Sequence, residues 1–158
     1  MKDDTMLGVF VEIARRKKSA EQRYFANKSA ILSAMSDLGI QRIQVGYSGA
    51  GDSGCVENVD ALDVPSGTAI DLHAVNVSIM QASSRHESGN WVEHVQTREV
   101  SLHEGAQEFA YDWLQAHHPG WENNDGADGE VIFDLARDAV FVTHNAHYMD
   151  TDTTEYEL

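Results

Sequence analysis

The chain has 158 residues, a formal net charge of -15 and a single cysteine, Cys55. This length suits one domain, whose folding typically buries roughly two-thirds of the unfolded surface, and a lone cysteine excludes both a disulfide framework and a cysteine-rich zinc site. The apolar run Met6 to Val11 has charge on both sides and is far short of the ~20 residues of a membrane span or the pattern of a secretory leader, so a reducing, cytoplasmic setting is expected.

Residues 1–18 read as a short amphipathic lead ending in Arg15-Arg16-Lys17-Lys18, a solvated helix end or a docking patch. Ser19 then opens a helix with Tyr24, Ile31, Met35 and Leu38 at helical spacing, and Gly39 is its natural stop. From Ile40 the period changes to two. Ile43, Val45 and Tyr47 alternate with polar residues as in a strand with one buried face. The glycine-rich connection Ser48 to Gly54 predicts a hairpin into a second strand, Cys55 to Asp60.

Residues 61–100 are the least legible. Ile70, Leu72, Val75, Val77 and Ile79 fit a broken strand about as well as a helix, with β-branching favouring strand, and Ser83 to Asn90 reads as a loop before a strand from Trp91 to Val100. Ser101-Leu-His-Glu104 has capping-box spacing, and the stripe Leu102, Ala106, Phe109, Ala110, Trp113 and Leu114 predicts a helix that His117, His118 and Pro119-Gly120 bring to an end. A polar loop, Trp121 to Gly129, precedes two strands, Val131 to Leu135 and Ala139 to His144. The tail, residues 150–158, carries four carboxylates and no base and is expected to be solvated. The expected fold class is α+β. It comprises a mostly antiparallel single sheet with two main helices on one face, residues 19–149 as the domain, and a possible duplicated α-β-β unit, each half running helix, aromatic-led polar loop, strand.

Charge is unevenly placed. Residues 1–42 hold eight Lys and Arg against five Asp and Glu, and the remainder three against twenty-one. Such a body argues against direct nucleic-acid binding, which needs a basic face, and for a basic protein partner, including a nucleic-acid-binding protein whose channel carboxylates can occupy in place of phosphates. The binding residues expected on this reading are Trp121, Glu122, Asn123, Asn124, Asp125 and Asp128, with no cofactor and no membrane.

The alternative is a small hydrolase built on a divalent metal. Asp52, Glu57, Glu122, Asp125 and His144 supply oxygen and imidazole donors, and Asp125, Asp128, His144 and His147 form a second ligand set. Neither calcium-loop frame fits: Gly126 at the sixth position puts Trp121 first and Ile132 twelfth, and Gly129 at the sixth puts Leu135 twelfth. Gly51-Asp-Ser-Gly54 resembles the nucleophile region of trypsin-like proteases, but a chain of this length lacks their two barrels, and a turn explains the residues. No phosphate-binding or dinucleotide glycine pattern is present.

Gly120-Trp-Glu-Asn-Asn-Asp-Gly126, Gly129-Glu, Phe133-Asp and Thr143-His-Asn145, with the first hairpin, Glu57 and the Tyr111 to Leu114 helix, resemble an uncharacterised bacterial family known only as a domain of unknown function. The resemblance covers most of residues 20–150, though 61–100 match poorly. It implies a compact α+β domain of bacterial or mobile-element origin and brings no catalytic assignment.

Overall fold

The computed structural model describes residues 2–65, 67 and 70–157, with side chains from residue 5 onward. Met1 and Leu158, at the ends of the expected lead and tail, lie outside the described residues. Its elements run α1 (Lys2–Leu38), β1 (Arg42–Ala50), β2 (Ser53–Leu62), β3 (Asn76–Glu87), β4 (Asn90–Ser101), α2 (Leu102–His117), β5 (Ala127–Asp134) and β6 (Ala139–Ala146). The fold is α+β, as expected.

The helix expected to begin at Ser19 begins at Lys2 instead and runs for 37 residues. Arg15 to Lys18 are good helix formers, Arg15 and Arg16 bond Glu12 one turn back, and the Ser19 hydroxyl, rather than capping a new helix, donates to Glu93 on β4 at 3.0 Å. Gly39 ends α1 at φ 71°, with Ile40 N–H donating to Met35 O and Gly39 N–H to Ser36 O, the paired bonds of a Schellman cap. At α2 the Ser101 hydroxyl accepts from Glu104 N–H at 3.1 Å, while the Glu104 carboxylate turns to Arg98.

The six strands fall into a four-stranded sheet, order β2-β1-β5-β6, and a separate hairpin, β3–β4. All pairings are antiparallel. β1 and β5 pair at the centre of the larger sheet, each with its own hairpin partner outside it and its own helix before it. The arrangement matches the α-β-β echo in the sequence, with β3–β4 inserted between the halves. The expected loop Ser83 to Asn90 is mostly strand. Only Ser88 and Gly89 turn, at φ 49° and 82°, the positive pair of a type I′ connection. Ile70, Leu72 and Val75 precede β3, where Leu72 O and Val75 O accept from His103 and Leu102 N–H at the start of α2.

Ile43, Val45 and Tyr47 of β1 and Val131 and Phe133 of β5 point to one face, under α2 residues Leu102, Ala106, Phe109 and Leu114. The second half of α1 joins this core through Ile31, Leu32 and Met35. α1 packs on α2 and β3, and α2 also on β1, β2 and β4. Asn27, the one buried polar side chain among the described residues, donates to Met80 O at 2.9 Å and accepts from Met80 N–H at 2.7 Å, fixing α1 to the free edge of β3.

Candidate functional site

The polar residues of greatest interest meet where the β1–β2 turn, the loop after α2 and the end of β6 come together. Trp121 fixes this corner. It is 5 % exposed, edge-on to Tyr47 at 5.4 Å between ring centroids, and lies over Gly49 and Gly54. A Cβ on Gly54 would stand 2.8 Å from its indole, so the ring requires glycine beneath it. Gly126, at φ 77°, passes so near β1 that a Cβ there would stand 1.7 Å from Gly49 O.

Trp121, one of the binding residues expected from the sequence, is thus packed into the core. Asn123 and Asn124 likewise shape the loop: Asn123 O accepts from Gly126 N–H at 3.0 Å and Asn124 O from Gly51 N–H at 2.9 Å. The loop is held by main-chain bonds. Glu122 packs its Cβ against Gly49 and Gly54, with Oε2 buried and unpaired.

On the outer side of the corner, Asp125, Asp128 and His147 line a groove of about 500 Å³ with Ser48, Ser53 and Cys55. Cys55, Ser48, Asp128 and Asn145 form one cross-strand row over the four strands. Asn145 donates to Asp128 Oδ1 at 2.8 Å and His147 Nε2 lies 3.0 Å from Oδ2. The Asn145 amide, and after it His147, hold the Asp128 carboxyl below the usual carboxylate range. Asp125 accepts from Met149 N–H at 2.6 Å, and Glu57 accepts from the Ser48 hydroxyl.

His144 is not part of this groove. It lies on the inner side of β6, stacked on His118 with centroids 3.8 Å apart and bonded through Nδ1 to Tyr47 Oη at 2.8 Å. Tyr47 gives its single proton to Thr143 O, also at 2.8 Å, so Nδ1–H of His144 is the donor to the phenol oxygen. Burial, with Asp128 adding to it, pushes the Tyr47 hydroxyl up to about 12, and burial followed by His118 lowers His144. Asp52 stands in the β1–β2 turn. The two ligand sets read from the sequence are thus divided: Asp125, Asp128 and His147 share a groove, whereas Asp52, Glu122 and His144 lie elsewhere. Among the described residues no three His, Cys, Asp or Glu side chains converge as metal ligands.

Sequence reasoning missed Tyr47 and Asn145. Their signal was the strand period, which places Tyr47 inward, where a phenol needs a partner, and Asn145 outward beside Asp128.

The model of a family of unknown function, DUF6878, matches residues 24–158. The chain belongs to that family. No curated protein and no solved structure matches it. The matched span takes in the second half of α1 and every other element, and leaves out the first half of α1. No described helix is long and apolar enough to cross a membrane.

Proposed function

We propose that this chain is a non-catalytic binding module that offers the outer face of its four-stranded sheet to a basic protein partner, in one form as a substitute for nucleic acid. One observation carries the reading. The positions alternating with the buried residues of β1, β2 and β5 place Glu57, Asp60, Asp128, Glu130 and Asp134 on the outer face, where Glu57 and Asp60 are exposed and the other three half-buried. Two cations lie near this face: Arg42, which Asp63 already holds at 2.6 Å, and Arg137, whose Nε stands 4.0 Å from Asp134. Same-face neighbours such as Asp128 and Glu130 stand roughly 6.6 Å apart along the strand. Fixed anions gathered on one face attract Lys and Arg side chains and draw the partner in, with an affinity that falls as salt rises.

The experiment is capture from a lysate of the native host at low salt, followed by a salt gradient. A basic protein that binds the wild type, elutes as salt rises and is lost with the combined variant Glu57→Gln, Asp60→Asn, Glu130→Gln supports the reading. Equal capture by the variant removes it.

A second reading draws on the shared groove of Asp125, Asp128 and His147, as part of a divalent-metal-dependent hydrolase. It predicts a saturable rise in melting temperature with micromolar Mg2+, Mn2+, Ca2+ or Zn2+ that disappears in Asp125→Ala, because an ion binding only the folded chain stabilises it by mass action. A gradual rise shared by all salts reports screening of self-repulsion instead.

A further inference from the structure

The first half of α1 carries an apolar face with nothing packed on it. Met6, Leu7, Val9, Phe10, Val11 and Ile13 are each between 54 % and 63 % exposed, within an eight-residue stretch. The face is no accident of composition, for it is in phase with the part of α1 that enters the core. Met6 and Ile13 lie eighteen residues, five helical turns, before Tyr24 and Ile31, which pack into the body. The stripe therefore continues past the point where α2 and β3 cease to cover it. A contiguous exposed apolar surface of this kind marks a contact with something else.

The charges around the face specify the occupant. Along the helix, positions 3 and 4 come just before the apolar run and positions 17 and 18 one turn after it. The sequence puts Asp3 and Asp4 at the first pair and Lys17 and Lys18 at the second. Arg15 and Arg16 are engaged by Glu12, whereas Lys17 and Lys18 are exposed and have no ion-pair partner among the described residues. The segment thus reads acid, apolar, base, and it is complementary to itself when reversed.

We propose that α1 is a dimerisation arm: residues 3–18 pair antiparallel with the same residues of a second copy, about a twofold axis between Phe10 and Val11. That register sets Asp3 and Asp4 of one copy level with Lys18 and Lys17 of the other, at both ends of the contact, as an isologous interface demands. The overlap of sixteen residues is about 24 Å long and ends at Lys18, just before Ser19 meets β4, with Arg16 inside it reaching Trp91 O of the β3–β4 hairpin at 3.3 Å, so the two bodies sit at opposite ends of the paired arms. The arm lies outside the residues that the family model covers, so dimerisation is an addition to the shared domain.

Sedimentation equilibrium of the full chain at micromolar concentration and low salt tests this. The wild type is a dimer. Leu7→Glu with Phe10→Glu, both at exposed positions, gives a monomer with unchanged circular dichroism. Lys17→Glu with Lys18→Glu weakens dimerisation about tenfold or more, and adding Asp3→Lys and Asp4→Lys to that variant restores it. A monomeric wild type, a dimer indifferent to the two glutamates, or failure of the four-residue exchange to restore association overturns the proposal. So does a monomeric wild type that co-sediments with vesicles of three parts phosphatidylcholine to one part phosphatidylglycerol, which would assign the arm to a lipid surface.

Discussion

The two faces of the four-stranded sheet are made by the same strands and answer to different demands. The inner face is set by close packing: Ile43, Val45, Val131 and Phe133 are wholly buried, and Phe109 of α2 meets Phe133 edge-on at 5.1 Å. On the outer face, Asp60, Asp128 and Glu130 need only water and, for Asp128, two polar neighbours. Stability therefore resides on one side of these strands, leaving the other free for recognition. A chain can vary its outer row without unfolding, and its inner row hardly at all.

Substitutions should reveal that asymmetry. The largest loss of stability is expected from Phe133→Ala, about 3–5 kcal/mol in a denaturant titration, because a buried ring is removed from a site that collapses only in part. Gly126→Ala tests the corner where the two faces meet. Positive φ and contact with Gly49 O should cost about 1–3 kcal/mol, with near-ultraviolet circular dichroism reporting displacement of Trp121. On the outer face, Asp60→Asn and Glu130→Gln should each stay within about 0.5 kcal/mol of wild type. Losses there as large as at Phe133 would abolish the division between the faces.

The smallest effect concerns pH. His144, buried against Tyr47 and His118, titrates below its ordinary value when folded, as does His103, through burial and its neighbour His73. The unfolded chain then binds more protons than the native one, so stability is full above the ordinary histidine value and declines as pH falls through it towards the folded value. Melting temperature should drop on acidification over that window, and His144→Asn should flatten the drop. A slope unchanged in that variant would dissociate the stacked pair from the acid response.

How legible these regions were in the sequence depended on whether a segment buries one face. β1, β5 and β6 alternate because their inner residues meet α2, and α2 announces itself through Ser101, its apolar stripe and Pro119-Gly120. The outer half of β3, Ala82 to Glu87, is exposed or half-exposed on both sides, so nothing in its composition marks a strand, and polar Ser83, Ser84 and Arg85 resemble a loop. The false helix start at Ser19 had a similar origin, since Ser followed by Ala-Glu-Gln imitates a cap and only the distant Glu93 explains the hydroxyl. At the candidate site the carboxylates were visible in the sequence, but the face each would occupy was not. That depended on register, which turned His144 inward and Asp128 outward one strand apart.

Asn27 has a consequence for the fate of the chain in a crowded solution. A lone two-stranded ribbon offers open amides and carbonyls on which a foreign strand can template, the first rung of a fibril. By presenting a side-chain amide to both Met80 groups, Asn27 fills one rung with a substitute peptide and keeps α1 seated beside it. Asn27→Leu should thus do more than loosen a helix. It should shorten the lag before thioflavin-positive aggregates form, because the unprotected margin of the ribbon is then available to its neighbours.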